Sequence, residues 1–377
     1  MDQAYDQYEE AMNNSAEEEK DTDNTSFALE DMSVGVFNEH GDHIYTLAQH
    51  PISPNIILTG GGDDRVLVWD LNQEDKAKST LFEIKEGFKD SIEYIKFNHD
   101  NKYMLITGRG NPIRVYLVHQ DKEGEDMFEF KKEMETGDDI NFINWHSKAN
   151  LILTGGNDMM VWMFNALNGE FTTYVGHEDV VNYADFTPDG KLIVSISNDA
   201  TTKVWNPRNA KWLIKISGEH YHHYPILSLW MINETVITGD VEGNVFIANV
   251  KTGESIGPIW KHEDSVECIS SHSKTFVASG SLDGTIKILD IGKQEMTIDI
   301  PKLDNEAGIT RLKCSSLNPI IYVAATNGIF YWIDIRNGEI LKKYTAHTDS
   351  IMDFIVNEKD KQIITVGDDK LAYVFDM

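Results

Sequence analysis

The chain has 377 residues and a formal net charge of −29 at pH 7, with 41% hydrophobic and 10% aromatic residues. A chain of this length and composition can bury a core, but its charge excludes the basic surface that direct binding of DNA or RNA requires. No apolar run approaches the roughly 18–20 residues of a membrane helix. Two cysteines, Cys268 and Cys314, are too few for a disulfide framework. We therefore expect a protein of a reducing compartment that binds neither nucleic acid nor membrane.

The first segment, residues 1–24, contains nine acidic side chains and one lysine. It has no sustained apolar periodicity, which predicts a disordered acidic tail. It also lacks the basic and apolar regions of a secretory signal, so we expect none. The tail carries −8 of the net charge, which leaves −21 for residues 25–377. The folded part itself must therefore be acidic, which suits a basic partner.

The repeating element of the chain is clearest in the stretch GHEDVVNYADFTPDGKLIVSISNDATTKVWNP, residues 176–207. Three runs of alternating polar and apolar residues are separated by a turn at 188–190 and a corner at 198–199. This pattern predicts a three-stranded antiparallel meander. Four polar or amphipathic side chains mark its ends and corners: His177, Ser195, Asp199 and Trp205.

This element recurs along the chain with a period of 41–48 residues. The position of Trp205 is filled in turn by Trp69, Tyr116, Phe164, Trp205, Ala248, Leu289, Ile333 and Phe375. Six residues before each lie Asp63, Gly110, Asp158, Asp199, Glu242, Asp283, Asn327 and Asp369. The periodicity resembles the WD40 repeat from about Phe27 to Met377. Such units stack radially to bury their faces, so we expect an all-β fold, a closed eight-bladed WD40 β-propeller.

The last repeat ends after its third strand, at Asp376 and Met377, and so lacks an outer strand. A strand-like run that no repeat uses, Thr25–Glu30 (TSFALE), follows the acidic tail. Because an open strand edge invites aggregation, we expect this run to be the outer strand of the last blade. The predicted propeller domain therefore spans residues 25–377.

The four marked side chains allow two interpretations. The WD40 resemblance implies that His177, Ser195, Asp199 and Trp205 form a hydrogen-bonded network that locks three strands together. A catalytic Ser-His-Asp triad would use the same residue types, but their recurrence at one spacing in several blades favours the structural role.

Other candidate chemistry is weak. The HYHH run at 220–223 has no carboxylate or cysteine at metal-ligand spacing. The GGGDD run at 60–64 is not followed by the Gly-Lys-Ser/Thr of a phosphate loop. We therefore expect no enzyme activity, no metal and no cofactor.

In propellers, the loops before the innermost strands and the first residues of those strands open onto one face around the central channel. In this chain those stretches are acidic. The predicted partner-binding residues are Asp42, Asp90, Glu93, Asp138, Asp139, Glu178, Asp179, Glu263, Asp264, Glu267 and Asp349.

Part of this acidic set has a simpler explanation. An aspartate two residues after the histidine commonly caps a turn, which accounts for three members: Asp179, Asp264 and Asp349. Turn capping does not account for Glu93, Asp139 and Glu267, and for these three we expect a functional acidic patch.

Four segments are similar to the family of angio-associated migratory cell protein and its fungal counterpart: YTAHTDSIMDFIVNEKDKQIITVGDDKLAYVFDM, SFALEDMSVGVF, GGGDDRVLVWDL and INWHSKANLILTGGNDMMVWMF. The fungal counterpart is a dedicated chaperone of a large-subunit ribosomal protein. The resemblance implies a monomeric cytoplasmic protein that captures the basic N-terminal segment of a ribosomal protein of the L10e/L16 type. Two alternatives stay open at this point, a generic WD40 interaction scaffold and a histone or nuclear chaperone.

Overall fold

Each predicted repeat forms a four-stranded antiparallel sheet in the computed structural model. The structure describes residues 31–72, 80–85, 87–119, 124–272, 275–293, 295–304, 307–359 and 361–377. Within these ranges 32 strands form eight sheets, and Met32–Met377 is one compact unit. The prediction of an all-β, eight-bladed propeller is therefore confirmed.

The first four blades follow one another along the chain, after a short strand β1 (Gly35–Phe37). Their strands are β2–β5 (Ile44–Gln49, Ile56–Gly61, Val66–Asp70, Thr80–Ile84), β6–β9 (Tyr94–Phe97, Tyr103–Thr107, Ile113–Val118, Phe128–Met134), β10–β13 (Ile140–Trp145, Leu151–Gly156, Met160–Asn165, Phe171–Val175) and β14–β17 (Val181–Phe186, Ile193–Ser197, Thr202–Asn206, Lys211–Ile216). A 3₁₀ helix, Gly124–Met127, leads into β9.

The second four blades continue in the same way. Their strands are β18–β21 (Ile226–Ile232, Thr235–Asp240, Asn244–Asn249, Ser255–Lys261), β22–β25 (Val266–His272, Phe276–Ser281, Ile286–Asp290, Glu295–Ile300), β26–β29 (Ile309–Cys314, Ile320–Ala325, Ile329–Asp334, Ile340–Thr345) and β30–β32 (Ile351–Asn357, Gln362–Gly367, Ala372–Asp376). In all eight blades the residue equivalent to Trp205 lies in the third strand.

The first strands of the blades close the ring. Each packs against the first strand of the next blade, and β30 packs against β2. The eight first strands thus surround a central channel, and all begin at the same end of the propeller, which we call the entry face. It comprises the connections before the first strands, at 38–43, 85 with 87–93, 135–139, 176–180, 217–225, 262–265, 301–304 with 307–308, and 346–350. It also comprises the turns between second and third strands, at 62–65, 108–112, 157–159, 198–201, 241–243, 282–285, 326–328 and 368–371.

The outer edge of the last blade is covered by β1, which pairs antiparallel with β32. The strand expected there, Thr25–Glu30, lies outside the described residues, and Gly35–Phe37 occupies its expected place. The closing strand is therefore about ten residues further along the chain than we expected. The physical reason is packing: the Phe37 ring is 1% exposed and lies 4.9 Å from the Trp69 ring, centroid to centroid.

The core lies between adjacent blades, because the alternation of the strands gives each sheet two apolar faces. Trp205 shows this arrangement. It is 0% exposed and shares a buried cluster with Phe142 and Tyr174, both of the third blade. Full burial of one such side chain contributes about 1.5–3 kcal/mol to stability. This packing holds the blades rigid and fixes the connections that form the entry face.

Candidate functional site

Hydrogen bonds join His177, Ser195, Asp199 and Trp205 within the fourth blade. His177 Nδ1 lies 2.8 Å from Asp199 Oδ2, and its Nε2 lies 2.7 Å from Ser195 Oγ. The indole N–H of Trp205 donates to Ser195 Oγ at 2.8 Å. This geometry fits a neutral imidazole that donates from Nδ1 and accepts the serine hydroxyl at Nε2. The bonds link the entry-face loop to the second and third strands.

The electrostatics of this network agree with a structural role. Burial lowers the pKa of His177 and keeps the imidazole neutral, although the bond to Asp199 opposes the shift. Burial by itself would raise the pKa of Asp199, but hydrogen bonds from His177 and other donors lower it overall. Ser195 is 0% exposed. An external substrate has no route to its hydroxyl group in this conformation.

Similar bonds occur in other blades, with two changes of residue. Equivalent contacts join His40, Thr59 and Asp63 in the first blade, and His347, Thr365 and Asp369 in the eighth. In the fifth blade Asp240, not the aligned Glu242, bonds to His222 at 2.7 Å, because Glu242 lies exposed on the turn. In the network of the sixth blade, the indole comes from the neighbouring fifth blade. Trp260 of β21 donates to Ser279 Oγ at 3.1 Å.

The remaining chemical candidates are occupied or buried. His222 of the HYHH run is bonded to Asp240 and Thr238. Among the described residues, no group of three or more His, Cys, Asp or Glu side chains is placed to hold a metal ion. In the same part of the chain, no helix is long and apolar enough to cross a membrane. Cys268 and Cys314 are free thiols, and burial raises the pKa of each to about 12.

Six of the eleven predicted partner-binding residues are aspartates near the ends of the connections before the first strands. Each accepts a hydrogen bond at Oδ1 from the backbone N–H of the next residue, at 2.7–2.9 Å; they are Asp42, Asp90, Asp138, Asp179, Asp264 and Asp349. The turn-capping geometry expected for three of them thus extends to all six. Asp42 is partly exposed and the others are exposed, so all six present negative charge on the entry face.

Glu93 is the most enclosed carboxylate of a local acidic group. It lies just before β6 with its side chain 24% exposed, and its Oε1 is 3.9 Å from Nε of Arg109, whose side chain is 66% exposed. Burial raises the pKa of Glu93; Arg109 opposes this shift, and the nearby charges of Asp139 and Asp90 add to it. Asp139 also accepts a hydrogen bond from Gly110 N at 3.1 Å. An additional cation would therefore stabilise the ionised form of Glu93.

A second acidic group, Asp42 and Asp368, lies on the other side of Tyr45 of β2 from the group of Asp90, Glu93 and Asp139. Nδ1 of His43 lies 2.9 Å from Oδ1 of Asp368, a residue of the eighth blade. Burial raises the pKa of Tyr45, and the charges of Asp42, Asp368 and Glu93 raise it further. Tyr45 therefore lies between the two acidic groups. We call Asp42, Asp64, Asp90, Glu93, Asp139 and Asp368 the acidic sector, which lies over the eighth, first, second and third blades. It also contains two cations, Arg109 and Lys370, and Nζ of Lys370 is 3.7 Å from Asp42 Oδ1.

The predicted acids of the fourth and sixth blades lie outside this sector. Glu178 and Asp179 are exposed on the fourth blade. On the sixth blade, Glu263 is 3.3 Å from Nζ of Lys302, and Glu267 Oε1 accepts a hydrogen bond from Ser265 Oγ at 2.6 Å. The sixth blade is four blades from the second in an eight-bladed ring. The structure thus places the sixth-blade acids across the channel mouth from Glu93, not beside it.

Two acidic residues of the sector, Asp64 and Asp368, are absent from the sequence-based set. Both lie in turns between second and third strands, which meet the neighbouring connections on the entry face. Asp64 is largely exposed. The small part of it that is buried, together with the charges of Asp90 and Asp63, raises its pKa. The signal was available in the repeats GGGDD and VGDDK, where a second aspartate stands beside the one that bonds to histidine.

Comparisons with known proteins agree with the propeller fold. The family model of a WD40-like domain matches residues 42–372. Angio-associated migratory cell protein of Homo sapiens is 26% identical over 363 residues, which cover 92% of this chain and 80% of the relative. Ribosome assembly protein SQT1 of Saccharomyces cerevisiae is 24% identical over 386 residues, which cover 92% of this chain and 86% of the relative. Crystalline Chaetomium thermophilum Sqt1, bound to the N-terminus of the ribosomal protein L10, superposes with a TM-score of 0.81, at 22% identity, over 92% of this chain and 100% of that one.

Proposed function

Because this chain belongs to the WD40-like family, whose domain spans most of its length, we propose that it acts as a binding platform and chaperone for a basic ribosomal protein. The client is a large-subunit protein of the L10e/L16 type, captured by its basic N-terminal segment during ribosome assembly. The observation that carries this proposal is the acidic sector at the channel mouth, in which the charges of Asp90 and Asp139 act on the partly buried Glu93.

The electrostatics of the entry face suit a short basic segment. Exposed carboxylates speed the encounter with a cationic partner by long-range attraction. Enclosed carboxylates then fix its register, because charge-assisted hydrogen bonds to Arg or Lys are stronger where water is partly excluded. Glu93 and Glu267 serve this second role in the proposal, and the capping aspartates supply the field. A competitor of higher negative charge, such as ribosomal RNA, would release the segment.

Similarity to relatives supports the choice of client. SQT1 is a ribosome assembly protein, and one Sqt1 structure contains the N-terminus of ribosomal protein L10. The same propeller architecture extends over 92% of this chain. The acidic residues of the present chain provide the complementary charge for an equivalent basic segment.

The proposed role requires no catalysis and no cofactor. The serine and histidine that could suggest hydrolysis, Ser195 and His177, are bonded to each other and buried. We expect the protein to act in the cytoplasm as a monomer. The eleven acidic residues named from the sequence are the proposed contact set.

The experiment that tests this function is calorimetric titration of the full-length protein with a peptide of the client's basic N-terminus. Its matched control is the same peptide with every Lys and Arg replaced by Gln. Because electrostatic contacts are screened over about 8 Å at physiological salt, affinity should fall at least about tenfold between low and high salt. The neutral peptide should not bind.

Two outcomes would contradict the proposal. Equal affinity for the basic and neutral peptides, with weak salt dependence, would favour the generic scaffold. Loss of binding on deletion of residues 1–24, with the entry face intact, would assign client capture to the acidic tail.

A further inference from the structure

A cavity of about 260 Å³ lies where the first strands of the third, fourth and fifth blades end. Its lining includes Trp145 at the end of β10, Asp185 near the end of β14 and Trp230 in β18. First strands begin at the entry face and rise about 3.3 Å per residue, so Asp185 lies roughly 13 Å from the start of its strand. The cavity is therefore separate from the acidic sector and opens towards the opposite end of the propeller.

Aromatic side chains form part of the wall of this cavity, beside Ser147, Thr187 and three aliphatic residues. The indole N–H of Trp145 donates to the backbone oxygen of Lys96 at 2.9 Å, and that of Trp230 donates to Ser271 Oγ at 2.9 Å. With their N–H groups occupied, both indoles offer the cavity only ring surface. Four of the lining side chains are aromatic: Trp145, Tyr183, Phe186 and Trp230.

The cavity wall also contains one carboxylate. Among the described residues that line the cavity, Asp185 is the one with a charged side chain. Its Oδ1 accepts a hydrogen bond from Phe186 N at 2.7 Å, and no salt bridge involves it within the described part of the chain. The nearby ammonium of Lys96 donates instead to Ile143 O at 2.7 Å and Asn144 Oδ1 at 2.9 Å. Burial raises the pKa of Asp185 to about 6, and the hydrogen bond from Phe186 N and the charge of Lys96 oppose this shift.

We propose that this cavity is a second binding site and that it takes an alkylated ammonium group, of the kind carried by choline or by methylated lysine. Aromatic rings attract a cation through their quadrupole, and the methyl groups of such a cation match an apolar wall. The carboxylate supplies the opposite charge and disfavours anions such as phosphate. A neutral apolar ligand would bring no further cation to Asp185, whose nearby positive charge is that of Lys96. The site is independent of the client-binding face.

The test is a ligand-observed NMR titration of the full-length protein with three probes: choline, trimethyllysine and 3,3-dimethyl-1-butanol, the neutral isostere of choline. Both cations should bind saturably, and the isostere at least about tenfold more weakly. Asp185→Asn should weaken cation binding about tenfold, whereas Glu219→Gln, at an exposed carboxylate on the entry face, should not. Tighter binding of trimethyllysine than of choline assigns the site to modified peptides, and the reverse assigns it to a small metabolite.

Equal binding of choline and its isostere would overturn the inference, as would unchanged affinity in Asp185→Asn. A second pair of variants guards against a folding defect, since Trp230→Phe keeps an aromatic ring and Trp230→Leu does not. Retained binding in both, at unchanged melting temperature, also overturns it. If the client peptide binds normally while choline does not, this inference fails and the proposed function stands.

Discussion

Glu93 and Glu267 occupy equivalent positions on blades that face each other across the channel mouth. Each follows the first apolar residue of its repeat, Ile92 or Val266, and each is partly buried. Their surroundings differ, because Arg109 lies 3.9 Å from Glu93 while Ser265 donates a hydrogen bond to Glu267. In the proposed function, one extended basic segment crosses the channel mouth and contacts both carboxylates. The pair is therefore the sharpest test of the entry face.

We predict that Glu93→Lys combined with Glu267→Lys nearly abolishes binding of the basic client peptide. Truncating an interfacial charge typically costs about 2–5 kcal/mol, and reversal adds repulsion. Calorimetry measures the loss, and circular dichroism checks the fold. The matched control is Asp189→Lys with Glu254→Lys, two exposed acids in turns on the opposite face. Equal loss in the control pair would mean that only net charge matters.

Removal of the Arg109 side chain should strengthen client binding, in contrast to the glutamate substitutions. Its guanidinium, 66% exposed, lies 3.9 Å from Glu93, so an incoming cation must compete with it. Arg109→Ala should strengthen client binding two- to fivefold, since an exposed ion pair is worth about 0.2–1 kcal/mol. Stopped-flow association and calorimetry measure the change. The control is Lys191→Ala, which makes the same charge change on the opposite face and should alter client affinity less. Weaker client binding in Arg109→Ala would show that Arg109 itself contacts the client.

The sequence allowed prediction of the blade number but not of every contact between blades. The positions equivalent to Trp205 recur at a nearly fixed period, and each period is one four-stranded unit, so counting them is enough. The closing strand could not be found in this way. TSFALE and the run around Gly35–Phe37 both resemble strands, and the choice depends on packing of Phe37 against Trp69, which lies 32 residues further along the chain.

The members of the acidic sector could also be predicted only in part from the sequence. The loop aspartates were identifiable, because each precedes the first strand of its own repeat. Asp64 and Asp368 were missed because their proximity to the sector depends on how one blade's turn meets its neighbour's connection. His43 and Asp368, for example, are 2.9 Å apart although 325 residues separate them in sequence.

We predict that His177→Ala or Asp199→Ala destabilises the propeller without removing any specific chemistry. The loss of a buried hydrogen-bonding partner typically costs about 1–3 kcal/mol. Urea unfolding measures the change, and Glu219→Ala, at an exposed acid in the connection after the fourth blade, is the control. An unchanged unfolding midpoint together with loss of a hydrolytic activity would instead support the catalytic triad.

Stability should fall as the solution becomes acidic, and His262 should contribute to the fall. Burial lowers its pKa to about 4, below the ordinary value of 6.5. The unfolded chain therefore takes up a proton at this residue before the folded chain does. The resulting stability is fully present above about pH 6.5 and is lost as the pH falls towards 4. Asp283, whose pKa is lowered because hydrogen bonds from Thr285 and other donors outweigh its burial, acts in the same direction at lower pH.

The measurement is urea unfolding of the wild type and His262→Gln between about pH 7.5 and pH 5. The stability difference between the two should shrink as the pH falls. A difference that grows on acidification would mean that His262 is charged in the folded protein.

The last prediction concerns the closing strand. Deletion of residues 1–30 should leave the melting temperature nearly unchanged, because the pairing with β32 involves Gly35–Phe37. Deletion of residues 1–38 should lower it markedly, since β32 then loses its neighbour on the outer edge. In the full chain, Phe37→Ala should cost about 3–5 kcal/mol, because a large buried ring is removed beside Trp69. Val34→Ala, at a side chain 46% exposed, should cost less than about 0.5 kcal/mol. If the two deletions destabilise equally, residues 1–30 contribute to closure of the ring, and the short strand alone does not explain it.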